Sequence, residues 1–327
     1  MQARKAASTT LAIALSMTFA GAVSAETYPS RPVTVVVPYP AGSPIDTIVR
    51  VVSERLQTSL GQSFVIENMT GAAGSLAVSR VVRAAADGYT IGAGNFSSHV
   101  SMPAVQNLPY DVVKDLDPVV QLANNAQIIL SRNTLPPQDL PTLVSWLKAN
   151  PDQAAAGTSG IGGISHVAAL LFQRETGVRF RFVAYRGTIL AQQDLIGGHI
   201  DLLFDQAATA LPNIRAGKVR AYAVTARARL EAAPEIPTVD EAGVPGLYVS
   251  VWSGLWAPKG TPKERIDKIN DAAVEALTDP SIRKRFAALG LDVPPREDLT
   301  PRALGELHRA EVQKWWPIIK AANVMAE

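Results

Sequence analysis

Val33-Thr34-Val35-Val36-Val37-Pro38-Tyr39-Pro40-Ala41-Gly42-Ser43-Pro44-Ile45-Asp46 contains the pattern on which the whole chain is built. A continuous β-branched run, closed by Pro38, reads as a strand buried on both faces. A loop of small residues follows. Ile45, Val49, Val52, Leu56 and Leu60 then fall at helical spacing before Gly61, a C-cap.

The same order of strand, tight loop and amphipathic helix recurs along the chain. Strands are predicted over 64–66, 89–93, 154–157, 180–184, 200–204 and 220–225. Helices are predicted near 75–86, over 140–149, over 164–176 closed by Gly177, over 190–196, and in a short stretch before Gly217. Such alternation predicts an α/β fold with largely parallel sheets and helices on both faces. The C-terminal quarter differs, because three helices follow one another. Thr261-Pro262-Lys263-Glu264 reads as an N-cap, Pro at N1 and a capping-box Glu; Asp279-Pro280 and Thr300-Pro301 repeat the cap and Pro. Pro317 is expected to kink or end the last helix. Val251-Trp252-Ser253-Gly254-Leu255-Trp256-Ala257-Pro258 reads as a hinge strand or as core.

With 327 residues, 47% hydrophobic and 18% charged, the chain is a packed protein of about two domains. Its first 25 residues hold Arg4 and Lys5 and no acid, and beyond them basic and acidic residues balance at 29 each. That leaves no basic footprint for a nucleic-acid partner. The absence of Cys removes thiolate nucleophiles, disulfides and Cys-ligated metals. Met1 to Lys5 is a positive n-region, Leu11 to Val23 an apolar stretch too short to span a bilayer, and Val23-Ser24-Ala25 a small-residue cleavage site. Residues 1–25 are therefore expected to be a signal peptide cut after Ala25, leaving a periplasmic protein that is not itself membrane-embedded.

Catalytic and cofactor motifs are incomplete. Gly157-Thr158-Ser159-Gly160-Ile161 lacks the last Gly of a nucleophile elbow, and Gly92-Ala93-Gly94 and Gly160-Ile161-Gly162 lack the third Gly of a dinucleotide loop. The four His are too scattered to propose a metal site. His199 and His308 read as surface or helix-face residues, whereas His99 and His166 adjoin Gly/Ser-rich loops. Neither a catalytic residue, a metal nor a cofactor is expected. A hydrolase using Ser159 with His166 would need an orienting acid that the sequence does not specify.

Three small-residue loops open helices after strands: Pro40-Ala41-Gly42-Ser43 before Asp46, Thr158-Ser159-Gly160-Ile161-Gly162-Gly163 before His166, and Tyr185-Arg186-Gly187-Thr188 before Leu190. Backbone N–H groups, hydroxyls and positive helix ends converge at such places, an arrangement suited to an anion. Asp46 and Asp205 are expected to cap a helix and to hold a loop, respectively, and not to act as acid and base.

The residues at this point resemble a known family. Tyr28-Pro29-Ser30-Arg31-Pro32, Val37-Pro38-Tyr39-Pro40-Ala41-Gly42, Val65-Ile66-Glu67-Asn68, Gly71-Ala72-Ala73-Gly74, Ala86-Asp87-Gly88-Tyr89-Thr90, Tyr185-Arg186-Gly187, Asp194-Leu195-Ile196-Gly197-Gly198 and Pro237-Thr238-Val239-Asp240-Glu241-Ala242-Gly243 occur in order. The chain is similar to the Bordetella uptake gene (Bug) family, periplasmic solute-binding receptors of tripartite tricarboxylate transporters. This resemblance implies a type II periplasmic binding protein, two α/β domains joined by two crossing strands around a ligand cleft. Domain 1 would comprise residues 26–127 plus 249–327, and domain 2 residues 128–248, with crossings near 119–130 and 247–256.

The implied ligand is a small carboxylate: a dicarboxylate, tricarboxylate, acidic amino acid or aromatic acid. The implied partners are the membrane subunits of the transporter, and the receptor would be a monomer. An alternative is a carboxylate sensor reporting to a two-component kinase. Carried over by position, the ligand-binding residues would be Tyr39, Ala41, Gly42, Ser43, Asp46, Phe96, Ser97 and Ser98 from domain 1, and Thr158, Ser159, Ile161, Gly162, His166, Arg186, Gly187 and Asp205 from domain 2. The first loop departs from the family's glycine-rich pattern at Ala41-Gly42-Ser43-Pro44-Ile45, Gly163 replaces Ser/Thr, Arg186 replaces Lys, and Leu190 replaces Pro. These changes predict a more apolar pocket, with Phe96, His99 or Ile161 packing on an aromatic or monoacidic ligand.

Overall fold

The computed structural model describes residues 27–71, 74–160 and 162–321; the expected signal peptide and Ile161 lie outside them. The opening stretch forms β1 (Val33–Val37) and α1 (Pro44–Leu60), with Gly61 in the left-handed C-cap. β2 (Phe64–Asn68), α2 (Ser75–Val82) and β3 (Thr90–Asn95) follow. α2 stops four residues before the expected end, since Ala85 and Ala86 are exposed and bury nothing that would extend it.

A π-helical turn over Ser97–Ser101 and a short α3 (Met102–Val105) were not legible in the sequence. The long strand β4 (Leu116–Arg132) leads to α4 (Leu140–Ala149), β5 (Ala155–Thr158), α5 (Ile164–Thr176), β6 (Arg181–Ala184), α6 (Thr188–Gly197), β7 (Leu202–Gln206), α7 (Ala207–Arg215) and β8 (Val219–Val224). β9 (Ser250–Pro258) returns, followed by α8 (Lys263–Thr278), α9 (Pro280–Ala288), β10 (Leu291–Asp292) and α10 (Pro301–Ala321).

Two end signals read differently in the folded chain. Pro262, not Thr261, is the N-cap of α8; the Thr261 hydroxyl donates to the Pro258 carbonyl at 2.7 Å and so makes no cap. α10 runs through Pro317 to Ala321, held by buried Trp315 and Ile319 on its apolar stripe. Asp279 and Thr300 cap as expected, accepting from Ser281 and Ala303 N–H groups.

The strands run in the order β2-β1-β3-β9-β4-β7-β5-β6, with β8 and β10 also against β4. β1 pairs in parallel with β2 and β3, and β5 with β6 and β7, so each end of the sheet is a parallel α/β wing. β4 joins them: residues 116–126 pair antiparallel with β9, and residues 127–132 with β7 and β8. Its length follows from burial on both sides, from Leu116 and Val119 to Ile129 and Leu130. One apolar cluster spans both wings, linking Phe96, Trp252, Trp256 and Trp315 with Ile129, Leu143, Phe172 and Phe204. Trp252 and Trp256 on β9 are thus core residues, on a strand paired with β3 and with residues 116–126 of β4.

Candidate functional site

In both wings the carboxyl ends of parallel strands carry the loops that sequence reading singled out, the position where ligands sit in open α/β sheets. After β1, the loop over residues 39–43 is fastened by Asp46. This buried carboxylate accepts from Gly42 N–H at 2.8 Å, Arg50 Nε at 2.8 Å and Asn68 Nδ2 at 2.9 Å. Asn68 also donates to the Tyr39 carbonyl at 2.9 Å. The N-cap of α1 is Ser43, so Asp46 is no cap; it ties the loop back from the helix's first turn. Burial raises its pKa, but Arg50, Gly42 and Asn68 together hold it below the usual carboxylate range.

Ser43 is different. Its Oγ is buried and has no partner among the described residues, and it makes no side-chain cap bond. The N–H groups of Ile45 and Asp46, in the first turn of α1, likewise find no protein acceptor among the described residues. A hydroxyl and a positive helix end are therefore left uncommitted beside a carboxylate that is fully engaged.

The second element in this wing follows β3. Tyr39 Oη donates to Asn95 Oδ1 at 3.2 Å. Ser98 is buried, its Oγ 2.9 Å from His99 Nδ1 and accepting from Asn95 N–H at 3.1 Å, so only Ser97 of this pair is partly exposed. The expected packing of Phe96 and His99 on a ligand is corrected by their burial. Phe96 meets Trp315 edge-on at 5.5 Å, and His99 stacks on Trp256 at 4.0 Å, because both rings close the core beneath the turn. His308, expected on a surface or helix face, is buried and donates from Nε2 to the His99 carbonyl at 2.9 Å. His199 is exposed.

In the other wing, the loop after β5 is braced from α5. Ser165 Oγ accepts from Ser159 N–H at 2.6 Å and donates to Ser159 Oγ at 2.9 Å. His166 Nδ1 accepts from Gly162 N–H at 3.2 Å, placing its proton on Nε2, and its ring meets Phe182 edge-on at 4.7 Å. Burial lowers the His166 pKa, keeping it a neutral acceptor. Ser159 is thus partnered by Ser165 and not by His166. Thr158 is buried, and Gly160 and Gly162 take positive φ values of 104° and 72°, which the tight turn requires.

The loop after β6 presents Arg186, which is exposed and has no ion pair or hydrogen bond among the described residues, followed by Gly187 at φ 123°. Ile189 and Leu190, in the first turn of α6, are 66% and 46% exposed, so an apolar surface adjoins this cation. Asp205 lies beneath, with no exposed surface. It accepts from Gln206 N–H at 2.9 Å and from Gln192 Nε2, and burial pushes its carboxyl up to about 6 against the bonds from Thr209, Gln206, Gln192 and Thr188. It holds α6 and α7 in place and is closed off from a ligand. Sequence reading missed Arg50, Asn68, Asn95, Ser165 and Gln192, the residues that hold these loops. Of these, only Asn68 carried a signal, standing inside a stretch already recognised.

A family described as "Tripartite tricarboxylate transporter family receptor" matches residues 48–324. The chain belongs to this receptor family. The receptor is 33% identical to Protein BugT of Bordetella pertussis over 92% of both chains. It is similar to MatC of Rhodopseudomonas palustris, solved with bound malate: 38% identity, TM-score 0.79, covering 89% of this chain and 100% of the other. A second R. palustris protein, solved with adipate, matches at 31% identity and TM-score 0.81, covering 91% and 99%. The receptor's fold is that of the periplasmic binding proteins, and its family and solved neighbours are solute-binding proteins.

Removing the Asp46 carboxylate tests how the first loop is held. Asp46→Ala leaves Gly42 N–H without its acceptor and Asn68 Nδ2 with only the Tyr39 carbonyl, and is expected to cost about 2 kcal/mol in urea unfolding. An unchanged midpoint would show that the loop holds without it.

Proposed function

We propose that this receptor is a periplasmic solute-binding protein that captures a small carboxylate between two lobes and delivers it to the membrane subunits of a tripartite tricarboxylate-type transporter. The lobes are residues 26–127 with 249–327, and residues 128–248. The observation that carries the reading is the uncommitted Ser43 hydroxyl at the free first turn of α1, next to an Asp46 whose every bond is already made. A carboxylate supplies the acceptor that these donors lack. Across the cleft, the free Arg186 and the braced loop over 158–163 offer a second set of donors. Relatives that hold malate and adipate support the substrate class.

With Phe96 and His99 engaged in the core, aliphatic dicarboxylates are the favoured ligands, and aromatic acids and citrate are the contrast. The test is thermal unfolding of residues 26–327, refolded to strip carried-over ligand, against malate, succinate, adipate, citrate, glutamate and benzoate. A ligand present at 100 times its Kd stabilises by about 2.7 kcal/mol, which raises the midpoint by several degrees. A concentration-dependent rise with an aliphatic dicarboxylate is expected; no rise with any acid would overturn the reading, and a rise confined to benzoate would restore the aromatic class. Among the described residues no helix is long and apolar enough to cross a membrane.

A further inference from the structure

Gln127 has no exposed surface, and both its amide nitrogen and its amide oxygen lack a partner among the described residues. Burying an amide with donor and acceptor both unmet is costly, and such groups are rare in folded proteins. It stands where the two wings meet: Ala126 is the last β4 residue in register with β9, and Gln127 the first in register with β7. The strand here is crowded with amides, Gln121, Asn124, Asn125 and Gln127, although Asn is depleted in strands.

Across from Gln127 lies Gln206. Residues directly opposite in an antiparallel pair share a face, with Cβ atoms about 5 Å apart, within reach of two glutamine side chains. Gln206 instead accepts from Asn125 Nδ2 at 3.0 Å, while Ala208 N–H approaches Asn125 Oδ1 at 3.5 Å. Asn125 belongs to the first wing, in register with Val251 and Leu291. Gln206 therefore has two amide neighbours, one bonded across the wings and one unbonded within its own. Turning the wings about Ala126 moves Asn125 relative to Gln206 but leaves Gln127 and Gln206 in register.

We infer that these three amides form a partner-exchange switch for closure. In the arrangement described here, Gln206 is bonded to Asn125; on closing it releases Asn125 and pairs with Gln127, satisfying the orphaned amide only in the closed state. The proposed switch takes the present arrangement as the open one: among the described residues no hydrogen bond or ion pair joins the loops at 39–46 and 96–98 to those at 158–163 and 185–188. Gln127 is thus a positioning residue whose unmet amide biases the receptor toward closure once ligand contributes its share. The inference rests on the proposed capture of a carboxylate between two lobes.

Calorimetric Kd values and radii of gyration, with malate, succinate and adipate as probes, test it on the wild type, Gln127→Met and Asn125→Ala, with Asn125→Ser as a second variant should the alanine form fold poorly. Gln127→Met keeps the volume but removes the unmet amide. It is expected to raise the unfolding midpoint of the ligand-free protein by about 3 °C while weakening acid binding about tenfold. Asn125→Ala removes the open-state bond and is expected to tighten binding several-fold. Opposite signs at positions two residues apart on one strand are what a purely structural role would not produce. The switch is overturned if the wild type binds and contracts while both variants keep Kd within twofold or shift it in the same direction. Should the wild type neither bind any of the acids nor contract, the receptor reading falls, and the switch with it.

Discussion

Gly94→Ala is expected to destabilise the protein by about 3 kcal/mol or more and to disturb the turn after β3 along with the fold. A Cβ at this position would stand 1.9 Å from His99 Cε1 and 2.3 Å from Nδ1. The imidazole has nowhere to go: it stacks on Trp256 at 4.0 Å, meets His308 edge-on at 5.6 Å, and keeps its Nδ1 2.9 Å from Ser98 Oγ. Expelling the ring would break the Asn95–Ser98 bonds that shape the turn beside Tyr39. Urea unfolding measures the loss. Because the clash needs both partners, Gly94→Ala in a His99→Ala background should cost far less than in the wild type, a coupling that a double-mutant cycle reads directly. A Gly94→Ala protein within 1 kcal/mol of wild type, or one whose loss is the same in both backgrounds, would refute the close-contact argument.

Acid is expected to weaken the fold well before the ordinary surface carboxylates titrate. Burial holds His99 well below the ordinary imidazole value of 6.5, with His308 adding to the effect, and burial also lowers His308 and His166. A depressed histidine is neutral when folded and charged when unfolded below pH 6.5, so its contribution is present above that pH and is lost as pH falls toward the folded value. Asp205 works in the opposite direction. With its carboxyl pushed up to about 6 from 3.8, the folded state binds the extra proton, and stability is gained as pH falls through 6.

Between pH 6.5 and 5.5 three depressed histidines oppose one raised aspartate, and the expected net change is a loss of stability as pH falls. Denaturant unfolding at pH 7.5, 6.5 and 5.5 gives the slope, and His308→Gln should flatten it. Stability that is level or rising down to pH 5.5 would contradict the burial of this cluster.

These two expectations start from residues that sequence reading treated lightly. His308 sits on a polar stretch of α10 and looked like a surface residue; only the packing of α10 over the turn at 97–101 brings it to the His99 carbonyl. Asp46 shows the same limit from the other side. Its position after a small-residue loop marked it as a carboxylate with a structural role. Its partners, however, lie four residues away on the helix, four residues back in the loop, and on β2, and the last of these becomes a neighbour only when β2 pairs with β1.

What the amino-acid order determined by itself is local and periodic: β1 over 33–37, α4 over 140–149, α5 over 164–176, the glycine stops at 61 and 177, and the alternation that makes two parallel wings. Each depends on contacts within a few residues, so patterning, caps and turn chemistry suffice to write it. Tertiary structure alone decided that Phe96 and His99 face inward, that Ser98 is engaged while Ser43 is free, and that Gln127 is buried without a partner. Those outcomes depend on which elements cover each side chain. Covering is a property of strands and helices far apart in the chain, such as α10 over the turn at 97–101 and β9 against β4, and no local pattern encodes it.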